Sequence, residues 1–335
     1  MNRSELRDTL AQLILGEDST FTRDQVAEKA GRDDELVRRL WRALGFADAG
    51  EAPAYGERDV AAAMLVARAF EGDVLEERTI FRMARALGQT MARLADWEVA
   101  TIVDQVESDV QAGRAESRLA AAVSVAEQVG PGFERLLEYA WRRHLAAAAA
   151  RLEALGAADA ELLSTTMSVG FADLSRFTAM SNTLDETRLG ELVERFEARC
   201  TDVVTAREGR VIKALGDAVL FVNTDPRAAT LTALELVANI GSREDLPDLR
   251  VGMATGSVIS RLGDVFGPPV NLAARLSHVA RSNRVLVDQV TADHLVDAEF
   301  EMRALPPRPL RGFGNVSPIT ISRRRAFRPR TTPRY

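Results

Sequence analysis

Two hydrophobic periodicities divide this chain. Up to about residue 160, apolar side chains recur at helical spacing. Leu36, Val37, Leu40, Trp41 and Leu44 form one stripe, opened by Asp33 and Asp34 and closed by Gly45. Before it, Thr22-Arg23-Asp24-Gln25 has capping-box form, with Gly31 as the stop. Pro53 and Gly56 mark a loop, after which Val60, Met64, Leu65 and Ala67 start a helix reaching about Phe70. Two or three longer helices follow, carrying Ile80, Met83 and Leu87, then Met91, Leu94, Trp97, Ile102, Val106 and Val110. Gly130-Pro131-Gly132 predicts a break, and a last helix is expected from about Phe133 to Leu155. With no alternating pattern in this half, the spacing predicts an all-α domain.

Past about residue 161 the period changes to two. Thr166 to Asp173 alternates and ends in an acid. A short helix is expected next, then a longer one from about Leu184 to Arg207. Arg210 to Val222 reads as a β-hairpin turning at Gly216-Asp217. Asp225-Pro226 opens a helix to about Ile240. Leu249 to Ala254 reads as a strand, with Ser257 to Arg261 following it. Pro268-Pro269 opens a helix carrying Val270 to Val279; Arg284 to Val287 is a further strand, and two short strands close the domain. This order predicts one sheet with helices packed on one face, a ferredoxin-like α+β domain.

The expected organisation is therefore a helical regulatory domain over 1–145, a helical linker over 146–160, an α+β domain over 161–322 and a basic, disordered tail over 323–335. The linker pairs an alanine run, Ala146–Ala150, with Gly156. Such a segment has high helical propensity and little bulk to pack, and is read as a switch. The chain has 335 residues, 46% of them hydrophobic, enough for two cores. Its single cysteine, Cys200, excludes an internal disulfide. The start lacks an apolar signal region, and no run approaches the roughly 18 apolar residues of a membrane span. A soluble cytoplasmic protein is expected. Net charge is −6, which counts against broad nucleic-acid binding. Residues 22–60 do resemble a small winged-helix reader with an Arg38-Arg39…Arg42 cluster, but Asp33, Asp34, Glu35, Asp48, Glu51, Glu57 and Asp59 surround it.

Two acids carry the first candidate chemistry. Asp173 ends the first strand and Asp217 sits at the hairpin tip. If the strands are neighbours, both carboxylates emerge at one sheet edge, a donor set suited to hard divalent ions. On the helix after Pro269, Asn271 and Arg275 lie four apart and share a face. An amide and a guanidinium there suit a ribose and a phosphorus centre gaining charge.

These residues carry a family likeness. Phe171-Ala-Asp173-Leu-Ser-Arg-Phe177-Thr178, Lys213-Ala-Leu-Gly216-Asp217 and Asp264-Val-Phe-Gly267-Pro-Pro-Val-Asn271-Leu-Ala-Ala-Arg275 resemble the signature of the class III nucleotidyl cyclases, over roughly residues 164–322. The helical half resembles the regulatory domain of soluble mycobacterial-type adenylyl cyclases, some of which respond to acid pH. The resemblance implies a homodimer with two shared active sites. Asp173 and Asp217 of one chain would hold two Mg²⁺ or Mn²⁺ ions. Lys213, Asp264, Asn271 and Arg275 would come from the other chain, Asn271 orienting the ribose and Arg275 stabilising the transition state. Arg311, in Leu310-Arg311-Gly312, stands where a lysine usually meets the terminal phosphates.

The purine choice follows from donor and acceptor chemistry. Lys213 donates and Asp264 accepts, which complements N1 and the 6-amino group of adenine; guanine reverses both. Each mismatched buried polar group costs about 1–3 kcal/mol, so ATP is expected to beat GTP at least about tenfold. Lysine is otherwise scarce: the chain has only Lys29 and Lys213. The expected activity is an adenylyl cyclase making 3′,5′-cyclic AMP and pyrophosphate, restrained by the helical half. The alternatives are a catalytically silent, nucleotide-sensing dimer and a DNA-binding regulator acting through residues 22–60.

Overall fold

The computed structural model describes residues 3–71, 75–154, 164–241, 246–261, 263–295 and 299–324. The chain divides into two compact units, Met1–Arg151 and Leu152–Tyr335. The first contains α1 (Arg3–Leu15), α2 (Arg23–Lys29), α3 (Asp34–Leu44), α4 (Glu57–Glu71), α5 (Glu77–Gln111) and α6 (Arg118–Ala154). The capping box at α2 is formed in both directions: Gln25 N donates to the Thr22 hydroxyl, and Thr22 N donates to the Gln25 side chain. α3 ends at Gly45 in the left-handed conformation. Val26, Val37, Leu40, Trp41, Tyr55 and Phe81 make the core of this unit, with Trp41 meeting Tyr55 edge-on.

Three helical expectations are corrected. α1 was not anticipated, because its terminal Leu13, Ile14 and Leu15 are exposed and draw no amphipathic stripe. Only two long helices follow α4 among the described residues. Gly130-Pro131-Gly132 does not break the second of them: α6 runs 37 residues straight through Pro131. A mid-helix proline forfeits one backbone hydrogen bond, a cost of about 3 kcal/mol that long helical flanks can carry. The Pro131 carbonyl accepts from Arg135 Nε at 3.1 Å. α6 also takes in Ala146–Ala150; residues 155–160 of the expected switch, and 325–335 of the basic tail, lie outside the described residues.

The second unit runs β1 (Ser164–Leu174), α7 (Phe177–Ser181), α8 (Glu186–Thr205), β2 (Arg210–Ala214), β3 (Ala218–Asn223), α9 (Pro226–Ile240), β4 (Leu249–Arg261), β5 (Asp264–Phe266), α10 (Pro268–Val279), β6 (Arg284–Val287), α11 (Gln289–Asp293), β7 (Phe300–Ala304), β8 (Arg308–Leu310), β9 (Gly314–Val316) and β10 (Ile319–Arg323). The main sheet has the order β2-β3-β1-β4-β6-β10-β7, with β5 on β4 and a separate β8–β9 ribbon. β1 lies between β3 and β4 and is antiparallel to both. β4 is one strand of 13 residues rather than two runs, because β1 offers it an unbroken ladder from Ser164–Ile259 to Leu174–Leu249. Two short strands were expected at the end of the domain; four are present.

Helices cover both faces, not one. On β3, Val219 and Phe221 join the core containing Phe196 of α8 and Leu236 of α9, whereas Leu220 and Val222 join the core containing Ala273 of α10. β3 is therefore buried throughout and reads as a continuous apolar run. α10 sits directly on the sheet because Gly252 has no side chain. A Cβ there would stand 2.1 Å from Ser277 N and 2.3 Å from Ala273 O. Cys200 is wholly buried in α8, and burial pushes its thiol far above the ordinary range, so it is no nucleophile.

Candidate active site

The register of β1 brings the two acids together. Asp173 lies between Ala218 of β3 and Arg250 of β4. The next residue, Leu174, donates its N–H to the Asp217 carbonyl at 2.8 Å, tying the hairpin tip to the end of β1. Within the turn, Leu215 N donates to Ala218 O at 2.7 Å. The Asp173 side chain is 8% exposed, and its Oδ1 accepts from Arg250 Nε at 3.0 Å. On its other side, His278 Nε2 of α10 stands 3.9 Å from Oδ2.

Burial pushes the Asp217 carboxyl above its ordinary range, and the charge of Asp173 pushes the same way; Arg250 and His278 oppose both. Two crowded carboxylates, one resisting ionisation, form the hard oxygen set that a divalent cation relieves. No third acidic, histidine or cysteine ligand joins them among the described residues. That suits an ion such as Mg²⁺, which binds through one or two carboxylates and completes its shell with water and phosphate.

A carboxyl with a raised folded pKa favours the fold below the ordinary carboxylate range, and that contribution is lost as pH rises through the raised value. In metal-free buffer at neutral pH, Asp217→Asn should therefore melt higher than the parent. The gap should narrow as pH falls toward about 4 and close below about 3, where the carboxyl is neutral in both states. Thermal melts with chelator across that range check this; a parent that melts higher at neutral pH contradicts it.

The second pair also lies within one chain. Lys213 Nζ donates to Asp264 Oδ2 at 2.5 Å, with both side chains about one-third exposed (34% and 28%). The remaining oxygen, Oδ1, accepts from Val265 N at 2.8 Å. A β-bulge aims the lysine. The β2–β3 register shifts by one residue between Val211 and Lys213. Val211 and Ala214, three apart, consequently pack on the α8–α9 side, while Ile212 packs on the α10 side with Val265. An extra residue in one strand re-aims its neighbours in this way.

Asn271 and Arg275 are exposed on α10, and Arg311 is exposed in the turn after β8. None of these three side chains makes a hydrogen bond or ion pair within the described residues. Two neighbours escaped the sequence reading. Arg250 looked like an ordinary strand residue, and only the β1–β4 register sets it against Asp173. His278 follows Arg275 by three positions, a helical signal that went unused.

Residues 163–322 match the adenylate and guanylate cyclase catalytic domain family. The chain is 39% identical over 342 residues to an adenylate cyclase of Streptomyces coelicolor, covering 94% of this chain and 89% of that one. It is 41% identical over 287 residues to an adenylate cyclase of Streptomyces griseus, covering 86% and 71%. It is also 31% identical over 338 residues to a pH-sensitive adenylate cyclase of Mycobacterium tuberculosis, covering 95% and 84%. The chain belongs to the class III adenylyl cyclases of actinobacterial type, and the likeness extends beyond the catalytic domain into the helical unit. Among the described residues no helix is long and apolar enough to cross a membrane.

Proposed function

We propose that two copies of the chain build two shared sites that cyclise ATP to 3′,5′-cyclic AMP and pyrophosphate. The observation that carries this reading is the Lys213–Asp264 pair: a donor and an acceptor side by side and partly open, matching the polar edge of adenine. Asn271, Arg275 and Arg311, unpaired among the described residues, are free to meet substrate held at a partner's carboxylates. Bond formation joins the ribose 3′-oxygen to the α-phosphorus; the bond to the bridging oxygen breaks, pyrophosphate leaves with that electron pair, and the hydroxyl proton passes to water.

Asp173 and Asp217 would hold the divalent ions, Mg²⁺ or Mn²⁺ and two per site in this reading, which would supply positive charge beside the attacking hydroxyl and the phosphates. Asn271 orients the ribose. Arg275 places a guanidinium where negative charge grows at the α-phosphorus. Arg311 meets the terminal phosphates, with a planar fork where an ammonium is usual. Arg250 holds the Asp173 carboxylate in place before substrate arrives. Purified full-length chain with ATP and either ion should yield cyclic AMP and pyrophosphate in equal amounts by chromatography. ATP binding without product would favour a silent nucleotide sensor instead.

We also propose that residues 1–145 restrain the catalytic domain through the 146–160 linker. A chain starting near Ala160 should turn over ATP several-fold faster than the whole protein. Proline at Ala148 and Ala149, inside α6, costs about 3 kcal/mol of helix at each position and should uncouple any regulatory response, whether the signal is pH, a lipid or a protein. Equal rates for the whole and shortened chains would remove the restraint from the account.

A further inference from the structure

The Arg38-Arg39…Arg42 cluster plays no part in the cyclase site, yet α3 and α5 build a cavity around two of its members. Arg39, Arg42 and Ala43 of α3 face Glu77, Arg78, Phe81 and Arg85 of α5 across a space of about 620 Å³. The spacings 39/42/43 and 77/81/85 each put their residues on one helical face. From these residues we infer that the helical unit carries a binding site for a small ligand with clustered phosphate groups.

Charge is the first argument. Four guanidiniums and one carboxylate line the cavity, in a chain whose net charge is −6. Arg39 is already engaged: it pairs with Glu77 and lies 4.5 Å over the Phe81 ring. Arg42, Arg78 and Arg85 have no carboxylate partner among the described residues. Three crowded, uncompensated guanidiniums call for an anion carrying more than one charge. Their planar forks match phosphate oxygens in pairs.

Shape is the second argument. The space is of the size ordinary small-molecule sites occupy. The two helices are held hard against each other: a Cβ at Gly88, one turn past Arg85, would stand 2.2 Å from the Leu44 carbonyl oxygen. Buried Phe81 gives the cavity a fixed floor. A lipid in an apolar pocket does not fit this lining. A nucleic acid fits it poorly, because Arg38 is taken up by Glu35 and the basic strip does not extend along the helix.

Calorimetry tests the site without using turnover, so its outcome is independent of the cyclase reading. Sodium tripolyphosphate is titrated into the full-length chain at low salt and without divalent ions. Wild type and Arg275→Ala should bind it alike. Arg78→Ala/Arg85→Ala should bind at least tenfold more weakly while keeping its melting temperature, since both side chains are exposed. Arg42→Gln serves as a second variant and should weaken binding in the same direction. A parallel arm with ADP separates two sources of the phosphate: tighter binding than tripolyphosphate assigns a nucleotide, equal or weaker binding a bare phosphate chain. Absence of binding at millimolar ligand, an affinity unchanged in both variants, or tighter binding of a short DNA duplex overturns the inference.

Discussion

Replacing Asp173 with asparagine should lower cyclic AMP formation about a thousandfold, equivalent to about 4 kcal/mol of transition-state stabilisation. The substitution keeps the shape and one hydrogen-bond acceptor for Arg250, so the fold should survive; what it removes is a full charge from the pair proposed to bind the ions. Arg250 is 28% exposed and stays hydrated without its partner. Circular dichroism and thermal melts should therefore match the parent closely while product is lost. Retention of more than about a tenth of the parental rate would show that Asp173 does not hold the ions.

The second large effect concerns the base. Lys213→Glu combined with Asp264→Ser replaces donor and acceptor by acceptor and donor, the complement of guanine's N1–H donor and 6-carbonyl acceptor. Turnover of ATP should fall about a hundredfold, and the preference for ATP over GTP, at least about tenfold in the parent, should vanish or reverse. Measured kcat/KM for both nucleotides decides. A double variant that keeps the parental ATP preference would mean that the purine is chosen elsewhere. The single Lys213→Glu variant should be worse than the double one, because it sets two carboxylates against each other at the 2.5 Å contact.

Much of this architecture was legible because the local signals were strong. Gly216-Asp217 between two apolar runs announced a hairpin, and the hairpin is there with Asp217 at its tip. Thr22 and Gln25 announced a capped helix, and both cap bonds form. What stayed hidden depends on pairing between distant segments. The bulge that turns Lys213 toward Asp264 exists only relative to β3, and Arg250 meets Asp173 only through the β1–β4 register. Pro131 misled because its penalty is local, whereas the helix around it is long. The placement of α10 on the opposite face was missed for a similar reason. Gly252 reads as an ordinary strand glycine until the backbone of α10 is seen against it. The arginine cavity required α3 and α5 to be brought side by side.

The account stands on a site divided between two chains. Mixing Asp173→Asn chains with Arg275→Ala chains tests this directly, since each should be inactive alone. Random pairing makes half the dimers mixed, each with one intact site of two. Activity should return to about a quarter of the parental level in a two-fold symmetric assembly. Mixed dimers confirmed by two affinity tags that still release no cyclic AMP, while the unaltered protein does, would contradict it.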